Sequence, residues 1–197
     1  METNDLFIVT GAPGTGKTAV LDALGDGVRR VGEPAREILA ELRAAGDTRT
    51  RDRDWVAFVD LLLRRSIEKH EAAVARGGGA VFDRGVPDCI AYAVVLDVDP
   101  ETSLRAARTH RYNGDVLVLE PWEEIYSTDD ERTMSFADVI VFHEALEDAY
   151  ERTGYRLEAV PRAPVAARAA FVLDFIARRR GAASSSDGTS PRPAPQS

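Results

Sequence analysis

The sequence predicts an α/β fold, a three-layer α/β/α sandwich with about five mainly parallel strands. Three observations predict it. Short apolar runs alternate with stretches of helical period along the chain, as strand–helix–strand crossovers require. Two of the runs, residues 6–10 (LFIVT) and 116–119 (VLVL), are nearly continuous in apolar side chains, the mark of strands covered on both faces. The first of them opens directly into a glycine-rich loop followed by a helical pattern.

Taken in order, residues 6–10 form the first strand and a helix runs from 17 to about 24, where Gly25 and Gly27 break the chain. Residues 28–31 read as a short second strand. Pro34 suits the first turn of a helix, which continues over 35–45 to Gly46. A polar loop, 47–53, follows. Asp54 can cap a long helix to residue 75, on which Trp55, Phe58, Val59, Leu62, Leu63 and Ile67 recur at helical spacing before Gly77. Residues 80–83 (AVFD) form a strand, 87–96 and 101–110 helices, 116–119 a strand and 120–134 a polar loop. Ser135 caps a helix with Val139, Phe142, Leu146 and Tyr150 on its apolar face; residues 155–160 are the last strand and 165–179 the last helix. Residues 181–197 (GAASSSDGTSPRPAPQS) hold no large apolar side chain and cannot offset their ordering entropy. A single folded domain is therefore expected over 1–180, with a disordered tail over 181–197.

The 197 residues carry a formal net charge of -8, which argues against nucleic acid or anionic membranes as partners. No apolar run approaches the ~20 residues of a membrane span, and the N-terminus lacks the pattern of a secretory signal. Cys89 is the one cysteine, which excludes an intrachain disulfide and fits a reducing compartment, so a cytoplasmic location is expected. Of the 25 basic residues only Lys17 and Lys69 are lysines.

Lys17 falls in Gly11-Ala12-Pro13-Gly14-Thr15-Gly16-Lys17-Thr18, a full match to G-x-x-x-x-G-K-[ST] placed between a strand and a helix. The glycines allow successive N–H groups to turn toward phosphate oxygens, and the helix that follows presents its positive end to the same anion. Lys17 adds charge at the β/γ-phosphates and Thr18 offers a hydroxyl to Mg²⁺. Residues Gly11 to Thr18 with Ala19 are the expected ATP-binding segment. Lys69 is expected on a solvated helix face.

A phosphate loop needs a carboxylate at a neighbouring strand end to serve Mg²⁺, and Asp83 closes the AVFD strand. Asp83-Arg84 resembles the Asp-Arg or Glu-Arg signature of nucleoside and nucleotide kinases, whose arginine serves phosphate. Glu33-Pro34 follows the second strand and resembles the Glu-Pro of deoxyribonucleoside kinases, whose glutamate deprotonates the acceptor. Glu33 and Asp83 compete for the role of general base; an acidic first helical turn is the plain alternative for Glu33. Residues 127–136 (STDDERTMSF) sit where small-molecule kinases carry a mobile lid, and Arg132 is its one arginine. The arginines at 49, 51 and 53 are candidates for an anionic acceptor and those at 108 and 111 for phosphate, while 162 and 168 follow the last strand where a nucleotide base often rests; a solvated residue is the plain alternative. His70, His110 and His143 share no metal spacing, and Cys89 reads as buried and inert.

GAPGTGKT, EPAREIL, FDRGVPDCIAY, LEPW, TDDERTMSF and the Tyr150–Gly154–Tyr155 segment together resemble the NadR-type AAA domain family, which includes the TRPL-translocation-defect proteins and the ribosylnicotinamide kinase half of NadR. The resemblance spans residues 5–177. It implies a P-loop NTPase fold in which Gly14, Gly16, Lys17 and Thr18 bind nucleoside triphosphate and Mg²⁺, Asp83 is the Walker B-like acid and Arg132 the lid arginine. Two functions follow as expectations: a Mg-ATP-dependent kinase acting on a hydroxyl of a nucleoside-like or other small acceptor, and a nucleotide-binding ATPase or switch working through a protein or lipid partner. A remodelling motor is disfavoured, since one helix and a tail follow the last strand. No Asn-Lys-x-Asp guanine-reading tetrapeptide occurs.

Overall fold

Strand β1 (Leu6–Gly11) lies at the centre of a five-stranded sheet in the computed structural model, which describes residues 5–47, 54–126 and 134–186. β1 pairs in parallel with β3 (Ala80–Asp83) on one side and β4 (Asp115–Leu119) on the other. The outer strands are β2 (Arg30–Val31) and β5 (Arg156–Ala159), giving the order β2-β3-β1-β4-β5 with every pairing parallel.

All six residues of β1 are buried, and the period-2 alternation of side chains sorts them between two layers. Phe7 and Val9 join Val20, Leu21 and Leu24 of α1 (Lys17–Asp22) and its exit, and Val172, Phe175 and Ile176 of α7 (Val165–Ser186). Leu6 and Ile8 face the larger layer, built by α2 (Pro34–Ala44), α3 (Trp55–Arg76), α4 (Asp88–Val95), α5 (Glu101–Thr109) and α6 (Phe136–Arg152). The expected doubly covered parallel sheet is therefore observed, with each apolar run of the central strands feeding both layers.

The helix starts follow their local chemistry. The Asp54 side chain accepts from the Ala57 N–H at 3.1 Å. Ser135 and Asp138 form a reciprocal capping box, Asp138 N donating to Ser135 Oγ at 3.2 Å and Ser135 N to Asp138 Oδ2 at 3.1 Å.

Four expectations are revised. The second strand shortens to two paired residues; Arg29 instead spends its guanidinium on the carbonyls of Gly78 and Gly79, at 2.9 and 3.2 Å, and so ties down the turn after α3. A 3-10 turn, Glu123–Ile125, occupies part of the segment read as loop. The last helix runs to Ser186 instead of ending near 180: one glycine at 181 costs only about 1 kcal/mol in a helix, and the alanines after it are the best helix formers. Residues 187–197 lie outside the described residues. Lys69 is half-buried, donating to Glu37 at 2.7 Å, rather than solvated. No described helix is long and apolar enough to cross a membrane.

Candidate functional site

β1 delivers the chain into the Gly11–Thr18 loop at the carboxyl edge of the sheet, where ligands bind in open α/β folds. Gly16, the residue before α1, adopts φ +77°, and Gly14 adopts φ +83°. Both lie in the left-handed region that side chains disfavour, and space is as restrictive as conformation. A Cβ on Gly14 would fall 2.5 Å from the Tyr126 ring, and one on Gly16 would fall 3.0 Å from the Arg168 guanidinium. The loop also braces itself, Thr15 Oγ1 donating to the Ala12 carbonyl at 3.0 Å. Of the remaining expected binding residues, Pro13 and Thr18 are half-buried and Ala19 is exposed on the first turn of α1.

Lys17 opens α1, and although 6% exposed it is not left as a lone buried charge. Its ammonium donates to Asp83 Oδ1 and stands 3.6 Å from Glu33 Oε2. Asp83 ends β3, in register with Val9 of β1, which places its carboxylate beside the base of the phosphate loop. Glu33 is the residue that precedes α2, yet its side chain makes no capping bond to that helix. It turns instead toward Arg84 Nε, which donates to Glu33 Oε1 at 2.8 Å. Parallel β2, β3 and β1 thus bring Glu33, Asp83 and Lys17, separated by up to 66 residues, to one edge.

Burial works to raise the Glu33 carboxyl, but the charges of Arg84, Lys17 and Arg36 outweigh it and hold the group at about 2. Asp83 shifts the other way. Burial pushes its carboxyl above the ordinary value, with the Glu33 charge adding to that and Lys17 only partly opposing it. The pair therefore divides into a firmly ionised glutamate and an aspartate whose charge depends on Lys17.

Arg84 is 4% exposed, with φ +70°, and its guanidinium is held by Glu33 and, through NH1, by Asp88 Oδ1 at 3.0 Å. The rings of Tyr92 and Phe142 lie 5.7 and 5.6 Å from it. Arg132 lies outside the described residues, as do the arginines at 49, 51 and 53.

Three residues of this edge, Arg36, Asp88 and Tyr150, are missed by the sequence reading, and the arginine candidates divide between the site and the fold. Arg36 lies one helical turn beyond Glu33 and donates to Thr18 Oγ1 at 3.3 Å. Asp88 falls inside the expected 87–96 helix; its one sequence signal is the (i, i+4) spacing to Arg84. Tyr150 was read as apolar lining, but its hydroxyl donates to Asp88 Oδ2. Arg168 is 5% exposed, donates to the Thr15 carbonyl at 3.0 Å and lies 5.7 Å from the Trp122 ring. Arg111 serves the fold: it donates to the Thr153 carbonyl at 2.7 Å and stacks on Tyr155. Arg162 donates to the Pro121 carbonyl at 2.9 Å, and Arg108 is exposed. Cys89 is buried, as expected, and burial pushes its thiol up to about 12.

The oxygen donors at this edge suit a hard divalent cation: the Thr18 hydroxyl and the Asp83 carboxylate. Among the described residues no group of three or more His, Cys, Asp or Glu side chains could hold a metal ion. Such an ion would accordingly share its shell with phosphate and water oxygens, as Mg²⁺ does in phosphoryl-transfer sites.

A central parallel strand leading into this loop, with carboxylates on the adjoining strand ends, defines a P-loop nucleotide-binding α/β domain. The chain belongs to the AAA domain family, whose model matches residues 6–168. Among solved structures it is similar to shikimate kinase from Acinetobacter baumannii in complex with shikimate, at 14% identity and a TM-score of 0.53, covering 91% of this chain and 96% of that one. At that identity the likeness is one of fold. A comparison with curated proteins returns no match.

Proposed function

We propose that the protein is a Mg-ATP-dependent small-molecule kinase that transfers the γ-phosphate to a hydroxyl of a nucleoside-like or other small acceptor. The observation that carries this reading is the meeting of Lys17, Asp83 and Glu33 at the mouth of the phosphate loop. Nucleotide binding alone needs the loop and its lysine. Two further carboxylates, buried beside it on neighbouring strand ends, add what a hydroxyl acceptor needs: a group to orient it and a group to take its proton.

Each residue has a role in that reaction. Backbone N–H groups of residues 14–18 and the Lys17 ammonium hold the triphosphate, Lys17 exchanging Asp83 for phosphate oxygens. Thr18 and Asp83 would hold Mg²⁺, which supplies charge neutralisation at the transferring group. Glu33 or Asp83 takes the proton of the attacking hydroxyl as its oxygen bonds to phosphorus and the bond to the β–γ bridging oxygen breaks, leaving ADP. Glu33, held ionised by Arg84, orients the hydroxyl and Asp83 is the competing base. Arg132, on the lid segment, supplies positive charge to the transferring phosphoryl group.

The test offers a library of nucleosides and small alcohols with γ-labelled ATP. A labelled organic product that disappears in Lys17→Ala supports the kinase. Release of labelled phosphate at one rate with and without acceptors overturns it in favour of an ATPase or switch.

A further inference from the structure

The Asp88 carboxylate, 2% exposed, receives four donors from three parts of the chain. Thr10 Oγ1 donates to Oδ1 at 2.6 Å, from the strand residue just before the phosphate loop. Arg84 NH1 donates to the same oxygen at 3.0 Å. Gly85 N donates to Oδ2 at 2.7 Å, and the Tyr150 hydroxyl of α6 donates there too. Such a carboxylate has little freedom left: both oxygens are saturated and both are tied to backbone or to rigid side chains.

The consequence falls on Arg84. Its backbone sits at φ +70°, a conformation that a non-glycine residue holds only where its surroundings enforce it. Asp88 supplies that enforcement from both sides, accepting the Gly85 N–H that follows the strained residue and the guanidinium of the residue itself. With Tyr92 and Phe142 flanking the guanidinium, its Nε edge is left facing Glu33 at 2.8 Å. Thr10 places the same Asp88 oxygen in register with the end of β1. A single anchor therefore references the Glu33 clamp to the phosphate loop.

We infer that Asp88 is a positioning residue of the phosphotransfer site: by holding Arg84 against Tyr92 and Phe142 it aims the guanidinium at Glu33 and so fixes the Glu33 carboxylate beside Lys17. This rests on the phosphotransfer reading above. Asp88, with both oxygens engaged by Thr10, Arg84, Gly85 and Tyr150, acts on the site through Arg84. Tyr150 belongs to the same device, since its hydroxyl fixes the second Asp88 oxygen from α6.

The experiment compares wild type, Asp88→Asn and Tyr150→Phe. Melting temperature is measured first, then the Kd of a fluorescent ATP analogue with Mg²⁺, then kcat for ATP turnover with the nucleoside and alcohol library present. Asp88→Asn keeps the shape but weakens the hold on Arg84, and kcat is expected to fall by about 10-fold or more from misplacement alone. The analogue's Kd should stay within about 3-fold, because the loop, Lys17 and Thr18 are untouched. Tyr150→Phe, which removes one hydroxyl from a buried ring, should lower kcat in the same direction by less, and it decides the matter where Asp88→Asn does not fold. Unchanged kcat in the folded variants, or a Kd that weakens as much as kcat falls, overturns the inference while leaving the kinase reading intact. A wild-type protein that binds the analogue and turns over no ATP with any member of the nucleoside and alcohol library overturns both.

Discussion

The Lys17 ammonium donates to the Asp83 carboxylate, joining the first turn after the phosphate loop to the end of the neighbouring strand. Without phosphate in the loop, the strand carboxylate is the partner that makes burial of this lysine tolerable. In the proposed reaction the triphosphate would replace Asp83 at Lys17 and free the carboxylate for Mg²⁺.

Lys17→Ala removes the charge that phosphate is to receive and leaves Asp83 beside Glu33 with no ammonium between them. Affinity for a fluorescent ATP analogue is expected to fall by about 100-fold or more, in line with the loss of a buried charged partner. Titration of wild type and variant at one salt concentration checks it; an unchanged Kd would sink the assignment of the phosphate loop.

Glu33 makes acid stability a readout of the site. Its folded value of about 2 lies below the ordinary 4.5, so its contribution is complete above about pH 5 and is lost as pH falls through 2. A shift of that size corresponds to about 3 kcal/mol. Asp83, held above its ordinary value by burial, acts in the opposite sense, favouring the fold below that value and losing the contribution as pH rises. Glu33→Gln removes this contribution together with the part of the Asp83 shift that the Glu33 charge supplies, while the part due to burial of Asp83 is common to both proteins. Urea midpoints should differ most near pH 7 and converge as pH approaches 2; a difference independent of pH would exclude the Arg84 and Lys17 charges as its cause.

Gly14→Ala meets two obstacles, a left-handed backbone costing about 1–2 kcal/mol and the Tyr126 ring. Nucleotide affinity and melting temperature should both fall. Adding Tyr126→Ala should recover the steric part and leave the conformational part, so the double-mutant cycle is expected to show coupling. Strict additivity would mean that the ring yields freely.

Arg168→Met deletes the donor to the Thr15 carbonyl while keeping most of the side-chain length. An unsatisfied buried carbonyl costs about 1–3 kcal/mol, and the loop it belongs to is the one that holds phosphate. Both the denaturant midpoint and the affinity for the ATP analogue should drop. A loss of stability with unchanged affinity would confine Arg168 to the fold.

Much of this was legible in the chain because it is local. The apolar runs, the Asp54 and Ser135 caps and the glycine spacing each depend on neighbours within a few residues, and the structure places them within one or two residues of expectation. The P-loop fold and the AAA domain family follow from the same local signals. Asp88, Tyr150 and Arg36 were hidden for the opposite reason, and Arg168, though a candidate, could not be told from a solvated helix residue. Nothing near Tyr150 in sequence distinguishes a core tyrosine from one donating to a carboxylate 62 residues away, and helical spacing does not tell Arg168, buried against the Thr15 carbonyl, from a solvated residue.

The sequence by itself determined the sheet, its two apolar layers and the loop that turns backbone N–H groups toward an anion, since periodicity, caps and glycines act over short range. Only the tertiary structure decided what the charges do. The order β2-β3-β1-β4-β5 brings strand ends from distant parts of the chain to one edge. Burial there makes charged groups costly unless paired, so Glu33 gives up its helix for Arg84 and Lys17, and Asp88 fastens Arg84 from behind. Those pairings arise from packing, and no spacing along the chain records them.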